Sequence, residues 1–180
     1  PTKNAIMSPK KETAIAIMRQ LPGLSIKFVE RAKSLGGALG AGNKRNVQVQ
    51  RARLASFKTR KHQFQKFRRM AGAKAASRVL RTGGTAAMVY GQANTGVSNS
   101  MLHQQRVATA AAGSRGGSGD LDLSLVFIDG SLKGRADPAF AAHDDSITHW
   151  AEAVWPAWLP RIALSKMLQA AVDKQEGRST

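Results

Sequence analysis

The chain has 180 residues, 28 Lys and Arg against 11 Asp and Glu, a formal charge of +17 and no cysteine. That length suits one compact domain or two small ones and suffices for a real core. The absence of cysteine excludes disulfide staples and thiolate metal sites and points to an intracellular protein, nuclear or cytoplasmic. No run of about eighteen apolar residues is present to span a membrane; a basic helix can lie on an anionic membrane surface, but the aromatic face of the one in this chain is better spent on a core, so no membrane partner is expected.

From the N-terminus, Pro9 turns the chain out of a short extended run, and a helix is predicted from about Lys10 to Arg19. Pro22-Gly23 ends it, and Ser25 to Glu30 alternates as a strand does. Between Gly36 and Gly42 four of seven residues are glycine. The segment lacks the lysine and hydroxyl spacing of a nucleotide-binding loop, so it reads as a turn or small hairpin between Ile26 and Leu39.

Next comes the stretch from Asn43 to Arg81, with thirteen Lys or Arg and no acid. Glu30 and Asp120 bracket a wider segment without a single carboxylate side chain. The flanks cancel, since residues 1–30 carry five bases and two acids and residues 120–180 carry six bases and nine acids. All of the net charge therefore sits in the middle, as it does in a protein with a polyanion partner.

Val47, Leu54, Phe57, Phe64, Phe67 and Ala71 fall within roughly 160° on a helical wheel, which predicts one helix with a Phe-rich inner face. Arg51, Lys58, His62, Lys66 and Arg69 form the outer face, with Lys44 and Arg45 leading into it. Arg53, Arg60 and Lys61 fall in or beside the apolar stripe and must snorkel or find a partner there. Solvated helix faces normally mix charges of both signs, and this one does not. The outer stripe is therefore expected to contact nucleic-acid phosphates without reading sequence.

Gly72 offers a break, after which a second helix is expected from about Lys74 through Met88 and Tyr90, kinked or closely crossed at Gly83-Gly84. Ser98 caps a third, Asn99 to about Ala112, and residues 113–119 form a Gly/Ser linker. Asp120 to Ile128 alternates like a strand, but Asp120 as a cap before a leucine-rich turn favours a helix. Asp137-Pro138 starts another helix, Asp145 or Ser146 caps the next through Trp155, and a last one covers Arg161 to Lys174. The fold class is mainly α: a helical bundle with a small β-hairpin near the N-terminus, then a helical C-terminal extension, with boundaries at 1–42, 43–112, 113–119 and 120–180.

Other candidate chemistry is thin. His143, Asp144, Asp145 and His149 could ligate an ion, but two histidines six apart do not match the helical zinc signature, and a capped, solvated loop is the simpler reading. Asp120, Asp122 and Asp129 would bind metal only by converging in space. Trp150, Trp155 and Trp158 recur at helical intervals, as core or protein-contact residues do.

Five stretches in order carry a family resemblance: Ser8-Pro9-Lys10-Lys11, then Lys33-Ser34-Leu35-Gly36-Gly37, the basic helix, Met88-Val89-Tyr90-Gly91, and Leu102-His103-Gln104-Gln105-Arg106. Together they resemble the C-terminal part of a non-LTR, LINE-like retrotransposon reverse transcriptase, covering the end of the palm, the thumb and the connection. Ser34 stands where that family has tyrosine, and Glu12 separates Lys11 from Thr13. The resemblance implies a piece of an RNA-directed DNA polymerase, with a thumb-like helical region from 43 to 112. Lys10 and Lys11 would lie near the incoming triphosphate, and Leu35, Gly36 and Gly37 would belong to a primer-grip hairpin. Lys44, Arg45, Arg51, Lys58, Lys66 and Arg69 would track an RNA and DNA template–primer duplex. The catalytic aspartates and their Mg ions would lie in a palm upstream, so no cofactor and no independent activity are expected of these residues. The alternative is a stand-alone basic RNA-binding protein, such as a ribosome-associated or RNA-packaging protein.

Overall fold

The computed structural model of the chain describes residues 4–34, 37–42, 45–114, 119–130, 135–155 and 160–176. Strand β1 (Ala5–Met7) pairs in parallel with β2 (Lys27–Val29), Ile6 opposite Phe28, and helix α1 (Lys11–Arg19) makes the crossover that parallel pairing requires. The Ser8 hydroxyl accepts from the Lys10 N–H at 3.2 Å and donates to the Lys10 carbonyl at 2.8 Å, fixing the turn into α1. The expected hairpin follows, β3 (Arg31–Ser34) antiparallel to β4 (Gly37–Gly40). Asn46 attaches it to what comes next. Its Nδ2 donates to Leu39 O at 3.0 Å and Ala32 O at 3.4 Å, one carbonyl from each strand, while its Oδ1 accepts from the Gln48 N–H that opens α2.

The basic stretch is two helices rather than the single one its periodicity predicts: α2 (Gln48–Thr59) and α3 (Lys61–Val79), broken at Arg60. On a straight helix Phe57 and Phe64 would stand about 10.5 Å apart along the axis. With the break, their rings stack with centroids 5.3 Å apart. Stacking of this kind contributes beyond simple burial. Gly72, at φ 83° and ψ 170°, kinks α3 again in a conformation closed to residues with a Cβ.

The chain then widens into a π-helical turn, Leu80–Thr85, before α4 (Ala86–Val89). This is where Gly83-Gly84 was expected to bend or closely cross a helix. A Cβ on Gly84 would stand 3.1 Å from both Phe57 Cε2 and Phe64 Cζ, so the missing side chain admits the ring pair. Helix α5 (Gln92–Thr95) leads to α6 (Asn99–Gly113), whose cap is Ser98, its Oγ accepting from Met101 N at 3.3 Å. The segment after Asp120 is helical, α7 (Leu121–Asp129), with the Asp120 carboxylate accepting from the Asp122 and Leu123 N–H groups. Leu54, Phe57, Leu80, Met88, Met101, Ala112 and Ile128 share one core, with Phe64 packed against it.

The final helices are α8 (Pro138–Val154), starting at Pro138 as its sequence predicts, and α9 (Arg161–Glu176). Helix α8 runs on through Asp145 and Ser146, so neither caps a new helix. Two compact units result, Pro1–Ala142 and His143–Thr180. Residues 115–118 of the expected linker, and Trp158, lie outside the described residues. Trp150 and Trp155 are exposed rather than core residues. No helix among the described residues is long and apolar enough to cross a membrane.

The adjacent glycines of the π-helical turn should respond oppositely to alanine. Gly83 has open space where a Cβ would go, so Gly83→Ala is expected to stabilise by about 0.4–1 kcal/mol through helix propensity and lost unfolded-state freedom. Gly84→Ala drives a methyl into two stacked rings and is expected to destabilise by about 1–3 kcal/mol. Urea unfolding checks both, and shifts of the same sign would contradict the packing described.

Candidate nucleic-acid interface

The cations of α2 and α3 divide into those with internal acceptors and those facing solvent. Arg60 donates to Ser56 O at 3.1 Å, and Arg53 donates to Tyr90 O with its guanidinium 5.2 Å from the centre of the Tyr90 ring. These two and Lys61, half-buried, are the cations whose place on the wheel required a partner. Arg68 donates to Gly113 O and Gln65 to Ala111 O at 2.8 Å, so α3 binds carbonyls at the C-terminal end of α6. That end carries the unpaired carbonyls and partial negative charge of the helix, and a guanidinium there compensates both.

Along the seam between α2–α3 and α6 lie three open hollows, the groove of this site, the first two adjoining through Lys58 and Gln104. At one end Val47, Arg51, Ala55 and Lys58 face Ser98, Ser100, Met101 and Gln104. In the middle Lys58 and Lys61 face His103, Gln104, Val107 and Ala111 around a hollow of about 510 Å³ with a mainly apolar floor. A third hollow at the far end is lined by Gln65, Arg68, Arg69, Gly72, Ala73 and Ser114. The two sides advance together, Lys58 beside Gln104, Gln65 bonded to Ala111 and Arg68 to Gly113. The hollows are spread along α6 from Ser98 to Ser114, about 24 Å by helix rise, a span of roughly seven base-pair steps at 3.4 Å, with the Gln65–Ala111 and Arg68–Gly113 bonds joining the two sides before the third. No carboxylate among the described residues lines them.

Arg51, Lys58 and Arg69 therefore lie on the groove, but Lys66 is exposed outside its lining. Lys61 and Arg68 line it, and the single-helix wheel missed both: the break at Arg60 and the kink at Gly72 leave Phe67 and Ala71 exposed and turn Lys61, Phe64, Gln65 and Arg68 inward. Arg45 is drawn to the loop before α6, its guanidinium within 3.1 Å of where a Gly96 Cβ would be. Lys10 and Lys11 are exposed at the start of α1, away from the groove lining. Gly37 opens β4, whereas Leu35, Gly36 and Lys44 lie outside the described residues.

No protein-family model, curated protein or solved structure matches the chain.

The remaining candidates have local roles. Arg106 holds both oxygens of Asp137, at 2.9–3.2 Å, and one of Asp122 at 2.5 Å, tying α6 to α7 and to the start of α8. The Asp137 carboxylate, against the opposing effect of burial, raises the Arg106 pKa above its ordinary value, so the charge persists at every working pH. Asp120 caps α7, and Asp129 accepts from the Ala136 N–H at 2.9 Å. Asp120, Asp122 and Asp129 form no common site, and among the described residues no group of three or more His, Cys, Asp or Glu is placed to hold a metal ion. His143 to His149 lies within α8, not in a loop.

Arg106 is thus a structural cation, although it lies in the acid-free segment. Arg106→Gln should lower unfolding stability by about 1–3 kcal/mol, because Asp137 loses a two-oxygen partner in a half-buried position. The salt dependence of nucleic-acid binding should stay as it was. A reduced salt slope with unchanged stability would place Arg106 on the ligand instead.

Proposed function

We propose that the chain holds the template–primer duplex of an RNA-directed DNA polymerase, gripping its phosphates in the groove between α2–α3 and α6. The observation that carries this reading is a row of open hollows spread over about 24 Å of α6 by helix rise, with no carboxylate among the described lining residues, bordered by Arg51, Lys58, Lys61, Arg68 and Arg69. Point charges at that spacing neutralise a polyanion backbone and release its counterions, and they carry no base-specific pattern. The same groove would serve a stand-alone RNA-binding protein. The order of elements before it favours the polymerase, because a hairpin at Arg31–Gly40 precedes the basic helices, in the order that the resemblance implies for a primer-grip hairpin and a thumb.

In this reading the residues hold the nucleic acid and do not perform the chemistry. Phosphoryl transfer of this kind needs carboxylates holding two metal ions about 4 Å apart, and the resemblance assigns that pair to the palm. The chain alone is expected to incorporate no nucleotide on a primed RNA template, and the working place is the nucleus or cytoplasm, where its polymer is found. The groove itself is tested by replacing Arg51, Lys58, Lys61 and Arg69 with glutamine. Binding should weaken about equally for all sequences, and the slope of log affinity against log salt should fall by roughly three, at about 0.7–0.9 per phosphate contact. An unchanged slope would mean that the groove faces no nucleic acid.

A further inference from the structure

Helix α2 has a second cationic flank. At 100° per residue Lys58 lies within about 20° of Arg51, whereas Arg53 lies about 200° away, so the groove borders one side of α2 and Arg53 the other. On that second side stands Tyr90, the one tyrosine of the chain, 56% exposed and with the Arg53 guanidinium 5.2 Å from its ring centre. The backbone beside it lies against the hairpin: a Cβ on Gly91 would be 3.5 Å from Gly37 Cα. On β3 the alternate residues Arg31 and Lys33 are both exposed. The sequence from 31 to 119 holds no carboxylate side chain, Glu30 adjoining Arg31 just before it.

A partly exposed ring backed by a guanidinium, beside a hairpin that carries exposed cations, has the chemistry that binds an unpaired nucleobase. The base stacks on the ring and the planar guanidinium. Paired bases inside a duplex are already stacked on one another and cannot present a face to such a ring. A base at a single-stranded end can.

We propose that Tyr90 and Arg53 form a stacking platform for an unpaired nucleobase at a strand end, separate from the groove that holds the duplex. The proposal rests on the nucleic-acid reading of the groove and adds a ligand class to it. Arg53 donates to the backbone carbonyl of residue 90 as well as lying over its ring, so Tyr90→Leu removes the aromatic surface and its cation–π contact while keeping the carbonyl that Arg53 bonds.

The test uses the full chain and two RNA–DNA duplexes of equal paired length, one blunt and one with a short single-stranded tail whose first unpaired base is 2-aminopurine. The unsubstituted chain should prefer the tailed duplex and quench the probe. Tyr90→Leu should bind the blunt duplex as before, bind the tailed one about ten-fold more weakly, within the range of base–aromatic stacking, and lose the quenching. Tyr90→Phe should retain both, and circular dichroism melting verifies that each variant is folded. No preference for the tail in the unsubstituted chain, intact quenching in folded Tyr90→Leu, or equal losses on the two duplexes would each overturn the platform. Blunt-duplex binding that still depends on Arg51 and Lys58 would then leave the groove standing, whereas failure of the unsubstituted chain to bind either duplex would remove both.

Discussion

The contact on which the larger unit depends is the stacked pair Phe57 and Phe64 over Gly84. Sequence alone would lay these rings about 10.5 Å apart on one straight helix, and a ridge of like charges along such a helix would have nothing to curve around. Breaking the helix at Arg60 brings the rings to 5.3 Å, and the glycine in the π-helical turn leaves room for their edges. The break also redirects α3, so that Lys61 and Arg68 turn toward α6 and the groove acquires its second half. Hydrophobic packing thereby sets where the charges stand.

A second constraint is electrostatic. Concentrating +17 in the middle of a chain favours the unfolded state through self-repulsion unless the charges are separated or matched. The structure does both without carboxylates in that segment. Arg53, Arg60 and Arg68 donate to backbone carbonyls, two of these at turns or helix ends, and Arg106 reaches across to Asp122 and Asp137 beyond it. Of the other cations, Arg51, Lys58, Lys61 and Arg69 border the groove, while Lys66 is exposed outside it. A polyanion laid there would neutralise those four charges, so stability and binding are linked in the same direction.

Much of the fold was legible in the sequence because caps and punctuation act locally. Ser98, Asp120 and Pro138 mark helix starts where the structure has them, Gly72 marks a kink, and the glycine-rich run marks a hairpin. The parallel pairing of β1 with β2 was not legible, since it joins segments about twenty residues apart through a helix. The break at Arg60 was hidden for a related reason: no proline or glycine signals it, and the contact that accompanies it joins Phe57 and Phe64 to Gly84, twenty residues further on. That one omission displaced the candidate site by part of a turn, retaining Arg51, Lys58 and Arg69 while substituting Lys66 for Lys61 and Arg68. Asp145 and Ser146 misled in the opposite direction, as good capping residues inside a continuous helix.

The central claim, that the groove between α2–α3 and α6 holds the nucleic-acid backbone, is tested most directly by lysine acetylation of the chain with and without a saturating RNA–DNA duplex, read residue by residue by mass spectrometry. Lys58 and Lys61 line the groove, whereas Lys10, Lys11 and Lys66 are exposed away from it. The duplex should protect Lys58 and Lys61 and leave Lys10, Lys11 and Lys66 as reactive as before. Protection of Lys66 with Lys58 and Lys61 still reactive would contradict the account.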